Sequence, residues 1–170
     1  MRPVQDPRIE EARRTAYVLY EGVRTPHRSC GIALAETFGL PTATYQAFRK
    51  GGFTGEGPCG AIQAGLFILG ELLGDPDPTG ATTPEALAAA EDYGRRWREV
   101  LFPGRPDPGI VCNDLTTPHG DFEGNARMSF CTNLVAEVAA LVAEVALRHG
   151  VEITVSGSPV DASQAGQIRS

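Results

Sequence analysis

A chain of 170 residues with a formal net charge of −6 and a pI near 5.1 has the length of one domain able to bury its own core. Its acidic balance argues against a nucleic-acid partner, which calls for a basic face, and its arginines are interleaved with acidic residues along the chain. The opening Met-Arg-Pro-Val-Gln-Asp-Pro-Arg has no apolar core behind its charge, so neither a signal peptide nor a membrane segment is expected and a reducing cytoplasm is the default compartment.

In such a compartment Cys30, Cys59, Cys112 and Cys131 are not expected to form a permanent disulfide framework. Asp6 to Val23 predicts a first helix, with Asp6 as cap before Pro7 and with Ile9, Ala12, Ala16, Leu19 and Val23 on one face. Thr25-Pro26 starts a second, which carries His27 and Cys30 and stops at Gly39. His27 lies three residues before Cys30 and shares its face, where an imidazole can tune a thiol or bind a metal; a surface histidine near a helix start is the commoner outcome.

A short third helix to Arg49 leads into a glycine-rich turn, Lys50 to Gly57. Within it Gly55-Glu-Gly-Pro-Cys-Gly60 matches Gly-x-Gly-x-x-Gly in form only. A helix precedes it, and no second strand with a ribose-binding acid follows, so it is not a dinucleotide fingerprint. Gly57 and Gly60 read first as glycines that let the backbone turn and pack closely. Their functional use would be to bring backbone donors near Cys59 or a small anion.

Residues 57–74 predict a helix apolar on nearly all sides and therefore buried at the centre of the domain. Cys59 stands at its start, where unpaired N–H groups and the helix dipole favour a thiolate. Helix breakers follow from Gly74 to Gly80, and Thr82-Thr83-Pro84-Glu85 caps a long helix running through Trp97 to Leu101, with Leu87, Ala90 and Val100 among its apolar positions. Residues 110–120, with Cys112 and His119, read as an irregular loop in which Asp114 and Asp121 are turn and cap residues. The last helix, about Asn125 to Arg148, carries a stripe from Cys131 through Val145 and aims Cys131 at the core.

The organisation expected is thus a helical domain over residues 1–150 and a loosely ordered tail over 151–170 that opens as a short strand. No run of strands and no internal repeat is visible. The fold class is all-α, a bundle of five or six helices around residues 57–74.

The cysteine spacings contain no Cys-x-x-Cys, so neither a thioredoxin-type motif nor a zinc knuckle is encoded locally. The order of the four cysteines, with a glycine-rich turn before the second and small residues after it, resembles the C_GCAxxG_C_C family of redox-active proteins. Against that family's Gly-Cys-Ala-x-x-Gly the chain reads Pro58-Cys59-Gly60-Ala61-Ile62-Gln63. The cysteine agrees, Gly60 keeps the alanine position small, Gly57 lies one place early and Gly65 two places late. Cys30, Cys112 and Cys131 take the other three cysteine positions. The resemblance runs from about Arg8 to Gly150 and leaves out the insert Asp75 to Thr83. It implies a small bacterial protein of electron or thiol transfer, since similar domains occur joined to haem-carrying modules.

Three readings stand beside one another. In the first, Cys59 attacks as thiolate and another cysteine resolves, with a redox partner protein or small thiol as co-reactant; four cysteines allow three complete pairings. In the second, the four cysteines, or three with His119 or His27, hold an iron–sulfur cluster or zinc, no cofactor being certain. In the third, the protein is a non-catalytic helical scaffold whose Val and Leu stripe suits a homodimer as well as a core. No Ser, His and Asp arrangement supports a hydrolase.

Overall fold

Helices begin where the sequence supplies a cap or a proline, and the computed structural model, which describes residues 5–156, is all-α as expected. Helix α1 (Pro7–Glu21) starts at Asp6, whose carboxylate accepts from the Arg8 N–H at 2.9 Å, and ends at Gly22 in the left-handed region. Because α1 stops at Glu21, Val23 falls outside its apolar face and is exposed. Helix α2 (Cys30–Thr37) starts later than expected. The Arg28 N–H donates to the Leu19 carbonyl at 2.9 Å, which folds this segment back along α1, and Ser29 is extended. A 3-10 turn (Ala43–Phe48) stands where the short third helix was expected.

Helix α3 (Gly60–Leu73) follows the glycine-rich loop, and α4 (Pro84–Leu101) is capped by the Thr83 hydroxyl, which accepts from the Ala86 N–H at 3.2 Å. The stretch read as irregular contains a short helix, α5 (Cys112–Thr116), and a 3-10 turn over Thr117–His119. Helix α6 (Asn125–Arg148) has the bounds read from its stripe. Among the described residues there is no strand, only an isolated bridge between Pro58 and Val111.

The axis of the bundle is α6, not the 57–74 helix. Helices α1 to α5 all pack against it, α1 most extensively. Alanines line both surfaces, Ala12 and Ala16 on α1 and Ala136, Ala139, Ala143 and Ala146 on α6, so the backbones approach closely. Val135, Val138, Val142 and Val145 are fully enclosed, each burial being worth about 1.5–3 kcal/mol relative to exposure. By length and composition α6 could cross a membrane, yet 72% of its most apolar stretch is covered by the rest of the protein. Ion pairs close its outer sides, Arg13–Glu137 at 3.0 Å from α1 and Arg96–Glu144 at 2.8 Å from α4.

Helix α3 lies at the edge of the bundle. Ile62, Ile68 and Leu69 face inward, but Leu66 and Phe67 are 40% and 46% exposed, because that side is covered only in part, with the Phe48 ring of the 3-10 turn edge-on to Phe67 at 5.0 Å. Leu87 and Val100 of α4, expected on an apolar face, are exposed as well. Beyond α6 the chain is extended without pairing as a strand. Ile153 is buried, and the Ser156 N–H donates to the Thr37 carbonyl at 2.9 Å, so residues 151–156 are held on the body of the bundle. The remainder of the expected tail, 157–170, lies outside the described residues.

Candidate functional site

The loop between the 3-10 turn and α3 is bent by consecutive left-handed residues. Lys50, Gly51, Gly52, Phe53 and Gly55 all have φ between 45° and 80°. Two of them carry side chains, a cost of about 1–2 kcal/mol each that the surrounding bonds must hold. At Gly51 the need for glycine is steric too, since a Cβ would lie 2.6 Å from the Cys112 Cβ and 2.7 Å from the Gly57 carbonyl oxygen.

The bent loop then fixes two cysteines. The Gly57 N–H donates to the Gly51 carbonyl at 3.0 Å, and the Gly57 carbonyl accepts from the Cys112 N–H at 2.9 Å. Two residues further, the Cys59 N–H donates to the Ile110 carbonyl at 2.6 Å. Gly60 brings in a third: a Cβ there would sit 2.5 Å from the Cys30 sulfur and 2.3 Å from the Phe48 carbonyl oxygen. Cys30 and Cys112 each open a helix and Cys59 caps one, so three cysteines stand at helix starts. Cys131 arrives from α6, one turn after Arg127.

All four line a single cavity of about 370 Å³, partly open to solvent. Cys59 and Cys112 are buried, Cys30 and Cys131 partly so, and all four are free thiols. Tyr20 of α1 also faces the cavity, its hydroxyl accepting from Arg127 Nη1 at 2.9 Å. Arg127 is only 4% exposed; it donates as well to the Phe122 carbonyl and lies over the Phe122 ring at 4.0 Å. From the glycine-rich loop Lys50 reaches the same ring at 4.7 Å.

Burial dominates the thiol chemistry. It pushes Cys30 up to about 12, against the opposing pull of the Gly31 N–H. Cys59 moves further in the same direction, through burial and then the neighbouring Cys30, although the Ile62 and Ala61 N–H groups pull it down. The helix start is therefore where the sequence placed it, but the thiolate it was expected to hold is not favoured there: desolvation outweighs two backbone donors. Cys112 is raised by burial and by Cys131, with Thr116, Arg127 and Lys50 opposing. Burial alone would lower the Arg127 pKa, and the Tyr20 hydroxyl and Cys131 thiol beside it more than reverse that.

The other candidates divide. Gly60 lines the cavity; Gly57 does not, and serves as a backbone anchor. His27 lies on the cavity wall, edge-on to Tyr20 at 4.7 Å, with its Nδ1 bonded to the Tyr20 carbonyl. His119 is not brought to the cysteines; it stacks on Phe130 at 4.0 Å and 15°. Among the described residues no three of His, Cys, Asp and Glu are gathered so as to hold one metal ion, so a single zinc does not fit the side chains as placed.

No sequence motif singles out Tyr20, Lys50 or Arg127. Arg127 had a signal, an arginine four residues before a cysteine on an otherwise apolar face. Lys50 and Tyr20 had none, because a distant glycine turn and a distant helix meet at the cavity only in the fold.

Comparison with curated proteins and with solved structures gives no match. The family model described as "Putative redox-active protein (C_GCAxxG_C_C)" matches residues 28–145, a span that includes all four cysteines. The chain belongs to this redox-active C_GCAxxG_C_C family.

Proposed function

We propose that the protein exchanges thiols and disulfides within the four-cysteine cavity. The observation that carries this reading is convergence: four cysteines spread from position 30 to position 131 line one cavity, and none is bonded to another. Cys131 is assigned the first attack in place of Cys59. It is partly exposed and sits one turn from a buried guanidinium, whereas Cys59 is enclosed and its thiol is held protonated.

The exchange has two steps. The Cys131 sulfur attacks one sulfur of an external disulfide, the S–S bond breaks, and the leaving thiol takes up the proton that Cys131 gave up. A second cysteine, with Cys59, Cys30 and Cys112 as candidates, then attacks the Cys131 sulfur in the mixed disulfide and releases the second thiol. Two protein thiols and one disulfide become one protein disulfide and two thiols; the reverse reduces the protein. The co-reactant is a small thiol or a redox partner protein, and the setting a reducing cytoplasm.

A second reading makes the same four residues the ligands of an iron–sulfur cluster. It is favoured by the shared void they line and by the three cations on its wall, Arg49, Lys50 and Arg127, which suit an anionic group. One experiment separates the two. Protein purified without oxygen is assayed for iron, sulfide and zinc, and its thiols are alkylated before and after treatment with a disulfide. Two labels lost per chain on oxidation, recovered on reduction and absent from Cys131→Ser, are expected. Stoichiometric iron and sulfide, with labelling unmoved by disulfides, would overturn thiol exchange in favour of the cluster.

A further inference from the structure

The charge on the cavity wall is opposite to that of the protein. The chain carries −6, yet the cavity is lined by Arg49, Lys50 and Arg127, against one carboxylate, the exposed Glu123; His27, Tyr20 and the four thiols complete its titratable groups. None of the three cations forms a salt bridge with a described carboxylate, while most other arginines near a carboxylate do, as Arg13, Arg28, Arg96 and Arg148 show. Arg127 is the sharpest case. A guanidinium 4% exposed would ordinarily be paired, because leaving a buried charge uncompensated costs several kcal/mol. Its fixed partners are a carbonyl, a hydroxyl and an aromatic face, with the Cys131 thiol beside it, and none is a carboxylate.

Lys50 adds to this instead of relieving it. Its left-handed backbone, rarely adopted by a residue with a side chain, carries the ammonium onto the ring that Arg127 already occupies. Two like charges converging on one phenyl ring, beside a void with a mouth to solvent, make a place prepared for an anion.

We propose that Lys50 and Arg127 form an anion subsite in the cysteine cavity, and that the disulfide exchanged there is a small molecule bearing a carboxylate or similar anionic group. The identity of the substrate class rests on the thiol-exchange reading above; the subsite itself does not. With the anion held by Lys50 and Arg127, the scissile disulfide is confined to the void that the thiols line. Neutral and cationic disulfides lose that anchor.

The test compares two alkylating agents of similar size, anionic iodoacetate and neutral iodoacetamide, on the reduced native chain and on the same chain in urea, with labels mapped by peptide mass. The ratio of iodoacetate to iodoacetamide rates at the cavity cysteines is expected to be about tenfold higher in the native protein, and to fall back in Lys50→Glu and at high salt. A native ratio equal to that in urea, or one unmoved in Lys50→Glu with the fold intact by circular dichroism, overturns the subsite. The redox arm measures oxidation by 3,3′-dithiodipropionate, bis(2-hydroxyethyl) disulfide and cystamine, expected in that order of rate. If the alkylation preference holds but no disulfide oxidises the protein, the subsite stands and thiol exchange falls. If all three oxidise it equally and the alkylation ratio is flat, thiol exchange stands and the subsite falls.

Discussion

Helices α3 and α6 are both apolar around most of their circumference, and they end in opposite situations. Every side of α6 that carries Val or Leu meets a neighbour, and its four central valines are fully enclosed. The outer side of α3 is only partly covered, leaving Leu66 and Phe67 partly in solvent. An apolar pattern thus reports what a helix would bury, not how many partners the topology supplies. What α3 contributes is concentrated on its inner face and at its start, where glycines take the place of side chains so that Cys30 and Tyr93 can approach.

The largest effect expected from this contrast is in a matched pair of truncations. Leu141→Ala, at a position 3% exposed on α6, should cost about 2–5 kcal/mol, the range for a core leucine whose cavity cannot collapse. Leu66→Ala on α3 removes the same atoms from a half-exposed site and should cost under about 1 kcal/mol. Urea denaturation midpoints of the two variants measure both. Equal losses would mean that something covers the outer face of α3 in solution.

Within α3 itself a second pair divides the inner face from the outer. A Cβ at Gly65 would stand 2.2 Å from the Tyr93 hydroxyl oxygen, and that hydroxyl donates to the Ile62 carbonyl at 2.8 Å in the buried core. Gly65→Ala should therefore cost about 1–3 kcal/mol, through overpacking and a displaced hydrogen bond. At Gly70 nothing lies within 4 Å of the added atom, and Gly70→Ala should instead stabilise by up to about 1 kcal/mol through helix propensity alone. Opposite signs in thermal melting are the outcome to look for.

These contrasts also mark how far the sequence could be read. The bounds of α6 and the cap of α1 were legible because stripe, capping residue and stop glycine agreed. The start of α2 was not, since a tertiary bond from Arg28 to Leu19, absent from any local pattern, holds residues before Cys30 out of the helix. At the site, the four cysteines and the closeness demanded at Gly60 could be read from residue type. The cavity's cations could not: Lys50 and Arg127 are 77 positions apart and meet only over Phe122. The state of Cys59 is illegible for a related reason, because a helix start is local whereas the desolvation that outweighs it is supplied by the whole fold.

A smaller effect is expected at the cysteine end. Gly60→Ala must displace either the Phe48 backbone or the Cys30 side chain, and the side chain is the softer of the two. Alkylation of Cys30 in the native state, slow at neutral pH because its thiol is held protonated to about 12, should then quicken, with Cys131 labelling little changed. Unchanged Cys30 kinetics in a folded Gly60→Ala protein would show that Gly60 does not set the position of that thiol.

The smallest effect concerns the outer cover of α6. Helix α1 lies along α6, and its first turn is tied down by Asp6, which caps it and pairs with Arg8 at 2.8 Å; Arg8 reaches on to Glu152 at 2.7 Å, beyond the end of α6. Hydrogen bonds from the Arg8 side chain and then its backbone N–H hold the Asp6 carboxyl at about 2, below its ordinary 3.8. A folded-state pKa that is depressed means the clasp stabilises above pH 3.8 and is lost as pH falls toward 2. Both partners are solvent-accessible, so salt screens the gain and it stays modest. In melting experiments Asp6→Asn should lie below the wild type at neutral pH, and the gap should narrow as pH falls through about 2, where the wild type loses its carboxylate too. A gap that does not narrow there would assign the effect of Asp6 to shape and hydrogen bonding at the cap, leaving its charge without a part in holding α1 over α6.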